Sequence, residues 1–261
     1  MGRTIKALAA AMMALAAHGA AAQETLTVGA YPSNPPWEFK NERSEFEGFE
    51  VDLVRAIAEK LGREAEFEDL GFQALFAATA SGRIDMAIST ITITDDRLQN
   101  QDFTQGYFDS NLALISAQGG VEGWEGMRGQ TVGAISASVG EAWIEANREE
   151  YGLGEYKGYA DQQGLLMDVA NGRVAGGVGD LAGFEFAATQ MPGIRIVAPI
   201  ETGDRFAIML PKGSELLEPV NGAITELKEE GVLAELHQKW LGIPAPEGSS
   251  TTEPREIPRA Q

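Results

Sequence analysis

The sequence predicts an α/β fold made of two similar units, each a mainly parallel sheet flanked by helices. Strand-like and helix-like segments alternate strictly between residues 26 and 88. A glycine-rich connection at 119–129 then interrupts the chain, and the same alternation restarts at residue 131. Strand, helix, strand, helix, strand is the pattern of a parallel sheet with right-handed crossovers. The length of 261 residues and a 44% hydrophobic content suit one large or two modest domains with an ordinary core.

The elements follow in order. Residues 26–30, LTVGA, alternate β-formers and open the first unit. Pro32, Pro35 and Pro36 make 31–36 a loop. Val51, Val54, Ala58 and Leu61 share one helical face over 49–61, and Gly62 stops it. A strand at 64–69, a short helix at 72–80 and a strand at 84–88 complete the unit. In the second unit, 131–135 is a strand opening onto Ser136–Gly140, and 141–150 is helical in character. A helix at 161–171 ends at Gly172, a strand at 174–178 delivers Asp180, and 195–198 is a further strand. Apolar alternation returns at 206–210, and 215–240 is a long amphipathic stretch that Gly231 divides. Residues 245–261 are rich in Pro, Ser and Glu without periodicity, which predicts a disordered tail.

Composition closes off several classes of function. The net charge of −19 leaves no basic surplus to neutralise phosphates, so nucleic acid is not an expected partner, and attraction to an anionic membrane is disfavoured. There are no cysteines and only two histidines, His18 and His237. Thiolate metal sites, disulfides and cysteine nucleophiles are excluded, and neither a metal centre nor any other cofactor is expected. At the N-terminus Arg3 and Lys6 precede an apolar run at 7–17 too short to span a bilayer. Ala20-Ala21-Ala22 supplies a small-x-small cleavage pattern, so residues 1–22 read as a signal peptide and the product as periplasmic.

The most informative segment is 81–104, SGRIDMAISTITITDDRLQNQDFT. A strand opens into the hydroxyl-rich run Ser89-Thr90-Ile91-Thr92-Ile93-Thr94, and Arg97 follows where a new helical turn begins. A guanidinium fork and several short donors at the C-terminal end of a strand suit a carboxylate, and such crevices are where open α/β sheets bind ligands. The alternative for Arg97 is a surface pair with Asp95 or Asp96. Thr94 reads as the N-cap of the turn that holds Asp95–Arg97.

The ordered set Gly82, Asp85, Ser89, Thr92, Thr94 and Arg97, followed by Asp102-Phe103-Thr104, resembles the corresponding stretch of family 3 extracellular solute-binding proteins. These are the polar amino-acid receptors of ABC importers. The resemblance implies a two-lobe periplasmic-binding-protein fold of type II, with two strands crossing between lobes near 111–115 and 200–208. It assigns 23–112 to lobe 1, 113–203 to lobe 2 and 204–244 to a return into lobe 1.

It also implies roles. Arg97 and Thr92 would hold a ligand α-carboxylate. Thr90 and, less centrally, Ser89 would face the α-ammonium. Asp180 would take the α-ammonium from the other lobe; its alternative is a plain helix N-cap. Ser138 and Val139 precede a helix whose N-terminal N–H groups suit an anion, although Thr or Gly is commoner than Val at position 139. Phe72 would cover the ligand side chain. Tyr31 stands where receptors for basic amino acids or glutamine often carry Asp, and Asn34 where an aromatic platform is usual. Together these two point to a polar or uncharged side chain. Trp37 reads as core. Ala175 stands where Asp is frequent, a position that usually supports structure.

The expected protein is therefore a monomeric binding module, not an enzyme, that closes on an amino acid and docks on separate permease subunits in the inner membrane. Two alternatives share the fold: a cyclohexadienyl dehydratase-like enzyme, which would need a general acid such as Glu141 or Glu201 in the cleft, and a ligand-sensing input for a receptor.

Overall fold

The computed structural model describes residues 24–260. The signal-peptide assignment to residues 1–22 lies outside them.

The chain begins with β1 (Thr25–Ala30), a small hairpin layer of β2 (Ser33–Asn34), β3 (Glu38–Lys40) and β4 (Phe46–Glu47), then α1 (Phe49–Lys60) and β5 (Glu64–Asp69). Next come α2 (Phe72–Ala80), β6 (Met86–Ala87), α3 (Asp95–Asn100), β7 (Gln101–Phe103) and the long β8 (Phe108–Ala117). The second half holds β9 (Val132–Ile135), α4 (Val139–Tyr151), β10 (Tyr156–Tyr159), α5 (Gln162–Ala170), β11 (Gly176–Asp180), α6 (Leu181–Gln190) and β12 (Ile194–Phe206). Then β13 (Met209–Pro211), α7 (Leu217–Glu229) and α8 (Val232–Leu241) follow.

Two five-stranded sheets organise these elements, in the orders β5-β1-β6-β13-β7 and β10-β9-β11-β8-β12. In the first, β1 is parallel to β5 and β6, and β13 runs against β6 and β7. In the second, β9 is parallel to β10 and β11, and β8 runs against β11 and β12. Each sheet therefore has four strands in one direction and one reversed.

Helices cover both faces of both sheets. Phe49, Leu53, Val54 and Ile57 of α1 are fully buried with Ile224 and Leu227 of α7 and Leu233 of α8 against Leu26 and Val28. Each such side chain stabilises the fold by about 1.5–3 kcal/mol relative to exposure. The opposite face is closed by α2, where Leu75 packs on Ile84 and Met209. A Cβ at Gly29 would lie 2.5 Å from Ile84 Cδ1 and 2.9 Å from Leu75 Cδ2, so a larger residue here would push aside the tips of both side chains where α2 closes on the strand. In the second sheet Leu165 of α5 and Phe184 of α6 fill one face, and Ile144 of α4 packs with Leu153 and Val178 on the other.

The first crossing between sheets comes earlier than the expected 111–115. Leu112 to Ile115 are already paired with β11 inside the second sheet. The transition lies around residues 104–110, where Thr104 N–H donates to Ile208 O (3.0 Å) and Tyr107 N–H to Phe206 O (2.9 Å). The strand expected at 195–198 is the opening part of the longer β12, which carries the chain back as far as Phe206 along β8.

The tail is a correction. Composition predicted disorder beyond residue 245, yet Ser249, Ser250 and Thr251 are buried. Ser250 donates to Asp109 through its N–H (2.8 Å) and its hydroxyl, and Thr251 Oγ1 donates to Tyr107 O (3.0 Å). Arg255 N–H donates to Gln105 Oε1 (2.8 Å). Lys228 Nζ holds Glu253 O at 3.1 Å as well as Gln105 Oε1 and Gly106 O, each at 2.7 Å. Hydrogen bonds to the first crossing segment thus order a stretch that has little apolar content.

Candidate functional site

The C-terminal ends of β1, β6, β9 and β11 converge on one cavity of about 70 Å³ between the two sheets. All ten residues singled out from sequence line it: Tyr31, Asn34, Phe72, Ser89, Thr90, Thr92, Arg97, Ser138, Val139 and Asp180. Ser110, Gln162, Leu165, Asp204 and Phe206 join them without having been anticipated. The halves are drawn together across the cavity. Gln162 N–H donates to Tyr31 Oη (2.8 Å), Arg97 Nη2 to Ala137 O (3.1 Å) and Trp37 Nε1 to Asp180 Oδ2 (3.2 Å).

Arg97 is placed by its own short helix. Thr94 caps α3, its hydroxyl accepting from Arg97 N–H at 3.2 Å. The guanidinium donates to Thr92 O (2.8 Å) and lies 4.9 Å from the Phe76 ring centroid. Among the described residues no carboxylate comes within 4.0 Å of it, so the surface pair with Asp95 or Asp96 does not form. Burial lowers its pKa to about 10, with Asp204 opposing the shift, and the group stays charged at neutral pH.

Ser89 and Thr90 adopt backbone angles rare for residues with side chains, φ 153° and 47°. Thr90 N–H donates to Glu50 Oε1 (2.8 Å), Asn34 Nδ2 to Thr90 Oγ1 (3.3 Å), and Tyr31 N–H to Ser89 Oγ (2.9 Å).

From the other side, Ser138 caps α4 by accepting from Glu141 N–H at 3.3 Å. A Cβ on Gly140 would stand 2.7 Å from Val178 O, so glycine lets the start of α4 settle against β11. The unpaired N–H groups and dipole of that helix end favour an anion. Asp180 is both a helix cap and a lining residue of the cavity. Its carboxylate caps α6 through Gly183 N–H (2.7 Å) and also lines the cavity, accepting from Ser110 Oγ (2.7 Å). Burial raises its pKa to about 6, and the hydrogen bonds from Ser110, Gly183 and Trp37 oppose that rise.

The remaining wall is neutral. Tyr31, Asn34, Phe72, Gln162 and Leu165 bring no formal charge to it, and burial raises the Tyr31 pKa further above its ordinary value. Among the described lining residues Arg97 is the only cation, with Asp180 and Asp204 the carboxylates. Trp37 is fully buried against Phe49, Phe108 and Phe206, as read from sequence, but its indole N–H also reaches Asp180.

The profile described as "Bacterial extracellular solute-binding proteins, family 3" matches residues 26–243. The chain belongs to family 3 of the bacterial extracellular solute-binding proteins. Among similar family members is an arginine-binding periplasmic protein of Mannheimia haemolytica, 28% identical over 81% of this chain and 89% of that one. An L-cystine-binding protein of Escherichia coli is 29% identical over 84% and 83%. A solved structure described as an ancestral arginine-binding protein bound to arginine matches with a TM-score of 0.79 and 32% identity, covering 84% of this chain and 99% of that one. A structure described as an ancestral arginine-binding protein bound to glutamine matches at 0.79 and 32%, over 85% and 99%. The fold is thus that of type II periplasmic binding proteins. These named relatives are binding proteins rather than enzymes.

The unanticipated lining residues of this family 3 chain share a cause. Ser110 and Asp204 sit on β8 and β12, the crossing strands, and reach the cavity through tertiary pairing. Gln162 begins α5 directly after its N-cap Asp161, the same strand-to-helix arrangement that singled out Ser138. That repetition is the signal by which it could have been found.

Proposed function

We propose that this chain is the periplasmic substrate-binding component of an amino-acid ABC importer. It captures one α-amino acid by lobe closure and presents the closed form to separate permease subunits. One observation carries the reading: Arg97 from one half and Asp180 from the other line a single cavity. An α-amino acid is the small solute whose two charges match that pair. Its carboxylate is held by Arg97, Thr92 and the start of α4, and its ammonium by Asp180. A ligand touching both halves gives the closed state the differential affinity that a population shift requires.

The side chain we assign is polar and uncharged, because the wall formed by Tyr31, Asn34, Phe72 and Gln162 has hydrogen-bonding groups and no carboxylate. Asn34 spends its amide N–H₂ on Glu38 and Thr90, which leaves Oδ1 as the acceptor for a ligand donor. A basic side chain is the second reading. It is favoured by the arginine-binding relatives and by Asp204, a lining carboxylate without a cation within 4.0 Å among the described residues.

The test is calorimetric titration of the common amino acids into protein that has been unfolded and refolded to strip retained ligand. One-to-one binding of glutamine or another neutral polar amino acid, with arginine and lysine weaker, supports the first reading. Arginine binding tightest would transfer the assignment to the second. Absence of binding across the panel, with turnover of prephenate or arogenate, would replace the importer reading with the dehydratase.

A further inference from the structure

Behind the ligand-facing loop lies a buried acid pair that the proposed site does not itself use. Glu38 of β3 and Glu50 of α1 are both fully buried. Among the described residues no Lys or Arg lies within 4.0 Å of either one. The titratable groups facing them are Tyr107 from the first crossing segment, Tyr31 at the end of β1 and, further off, Asp180. Glu50 Oε1 accepts from Thr90 N–H (2.8 Å) and from the Tyr107 hydroxyl. Glu38 Oε1 accepts from Asn34 Nδ2 (3.3 Å). Each residue's Oε2 is buried and receives no donor from any third residue.

Two buried carboxyl groups that interact this directly do not both ionise. One proton between them satisfies both orphaned oxygens. Burial raises both pKa values, and the Glu50 charge adds to the rise at Glu38. Glu50 already accepts from the Thr90 amide and the Tyr107 hydroxyl while Glu38 accepts only from Asn34, so the charge is better held on Glu50 and the proton on Glu38. Glu50 is then the carboxylate. It meets three donors: the Glu38 hydroxyl, the Tyr107 hydroxyl and the Thr90 amide.

We propose that Glu50 is a positioning residue for the ligand site, a carboxylate that fixes the strained Ser89-Thr90 segment in its ligand-facing form while a protonated Glu38 serves as its donor. The segment is strained: Ser89 and Thr90 hold φ 153° and 47°, and such angles persist only where the surroundings over-determine them. The Thr90 amide has Glu50 as its partner, the Thr90 hydroxyl has Asn34, and Asn34 is tied to Glu38. The acid pair therefore sits at the root of the contacts that shape this edge of the cavity. The inference rests on the amino-acid-binding reading given above.

Two isosteric variants test it. Glu38→Gln keeps a donor toward Glu50, whereas Glu50→Gln puts an amide N–H₂ where an acceptor of three bonds is required. Ligand affinity is expected to fall more in Glu50→Gln than in Glu38→Gln, by roughly tenfold to a hundredfold, the range of a lost charge-assisted hydrogen bond. Circular dichroism checks that both variants are folded. A packing role alone predicts equal losses, so equal effects, or a Glu50→Gln protein that binds like the parent, would overturn the proposal. Infrared spectroscopy reads the proton without any ligand. The carbonyl stretch of a buried protonated carboxyl is expected at neutral pH in the parent and missing in Glu38→Gln. Its absence from the parent would also overturn the proposal. A parent that shows this band but binds no amino acid would instead remove the binding reading, and the positioning role with it.

Discussion

Trp37 Nε1 donates to Asp180 Oδ2 across 143 residues of sequence. The indole is otherwise a core side chain, at centroid distances of 4.7 Å from Phe108 and 5.7 Å from Phe206. One residue thus joins the hydrophobic core of the first sheet to the carboxylate that ends β11 in the second. Trp37→Phe retains most of the apolar volume and removes the hydrogen bond. Because that bond favours the ionised carboxylate, the variant should show Asp180 titrating at higher pH than the parent, by NMR of the labelled carboxyl. An unchanged titration would mean that the indole N–H does not stabilise the charge.

Arg97→Ala should cost about 2–5 kcal/mol of ligand affinity, as truncating one partner of a desolvated charge pair does. Arg97→Lys should recover only part of this, since an ammonium cannot reproduce the planar fork. Calorimetry on both variants is the check, and unchanged affinity in Arg97→Ala would refute the site.

Asp180→Asn should weaken amino acids more than their α-deaminated analogues; equal losses would leave Asp180 as a helix cap alone. The pH dependence has a definite sign. Burial raises the folded pKa to about 6, so the carboxyl is charged above that pH and neutral below it. Affinity for the ammonium group should therefore fall as pH drops through about 6, and Asp180→Asn should flatten that fall. Stability of the ligand-free protein moves the other way. The folded state holds the proton up to about pH 6, above the ordinary carboxylate range, so this residue's contribution falls as pH rises toward 6.

Lys228 gives a separate titration. Its ammonium is buried on three neutral acceptors, and desolvation pulls its pKa down to about 7. Above pH 7 the unfolded chain holds this proton and the folded chain does not, so stability should rise from pH 7 toward pH 9 relative to Lys228→Met. Parallel urea unfolding of the two proteins across that range measures the difference.

Much of the site was legible because its parts are local in sequence. Ser89 to Arg97 is one strand end running into one helical turn, and Ser138 and Asp180 each stand where a strand meets a helix cap. The first crossing was placed several residues off, because pairing such as Tyr107 with Phe206 depends on partners about a hundred positions apart. Asp204 and Ser110 escaped notice for that reason. The tail misled differently. Its Pro, Ser and Glu content has no periodicity, and only the tertiary fold supplies Asp109 and Tyr107 O as partners for Ser250 and Thr251.

Truncation after Ile243 should lower the melting temperature and leave Asp109 without the Ser250 amide and hydroxyl. Differential scanning calorimetry of the shortened protein tests this, and an unaltered melting temperature would show the tail contacts to be energetically idle.

The tail also determines how the molecule feels a pull. Residues 250–255 are fastened to Gln105, Tyr107 and Asp109, on the segment that passes from one sheet to the other. Tension applied at the C-terminus is delivered to the segment that joins the two sheets as well as to α7 through Lys228. A fluorescent domain or surface tether fused there would act as a mechanical load on opening and closing, whereas one attached to the far surface of α4 would ride along with a single half.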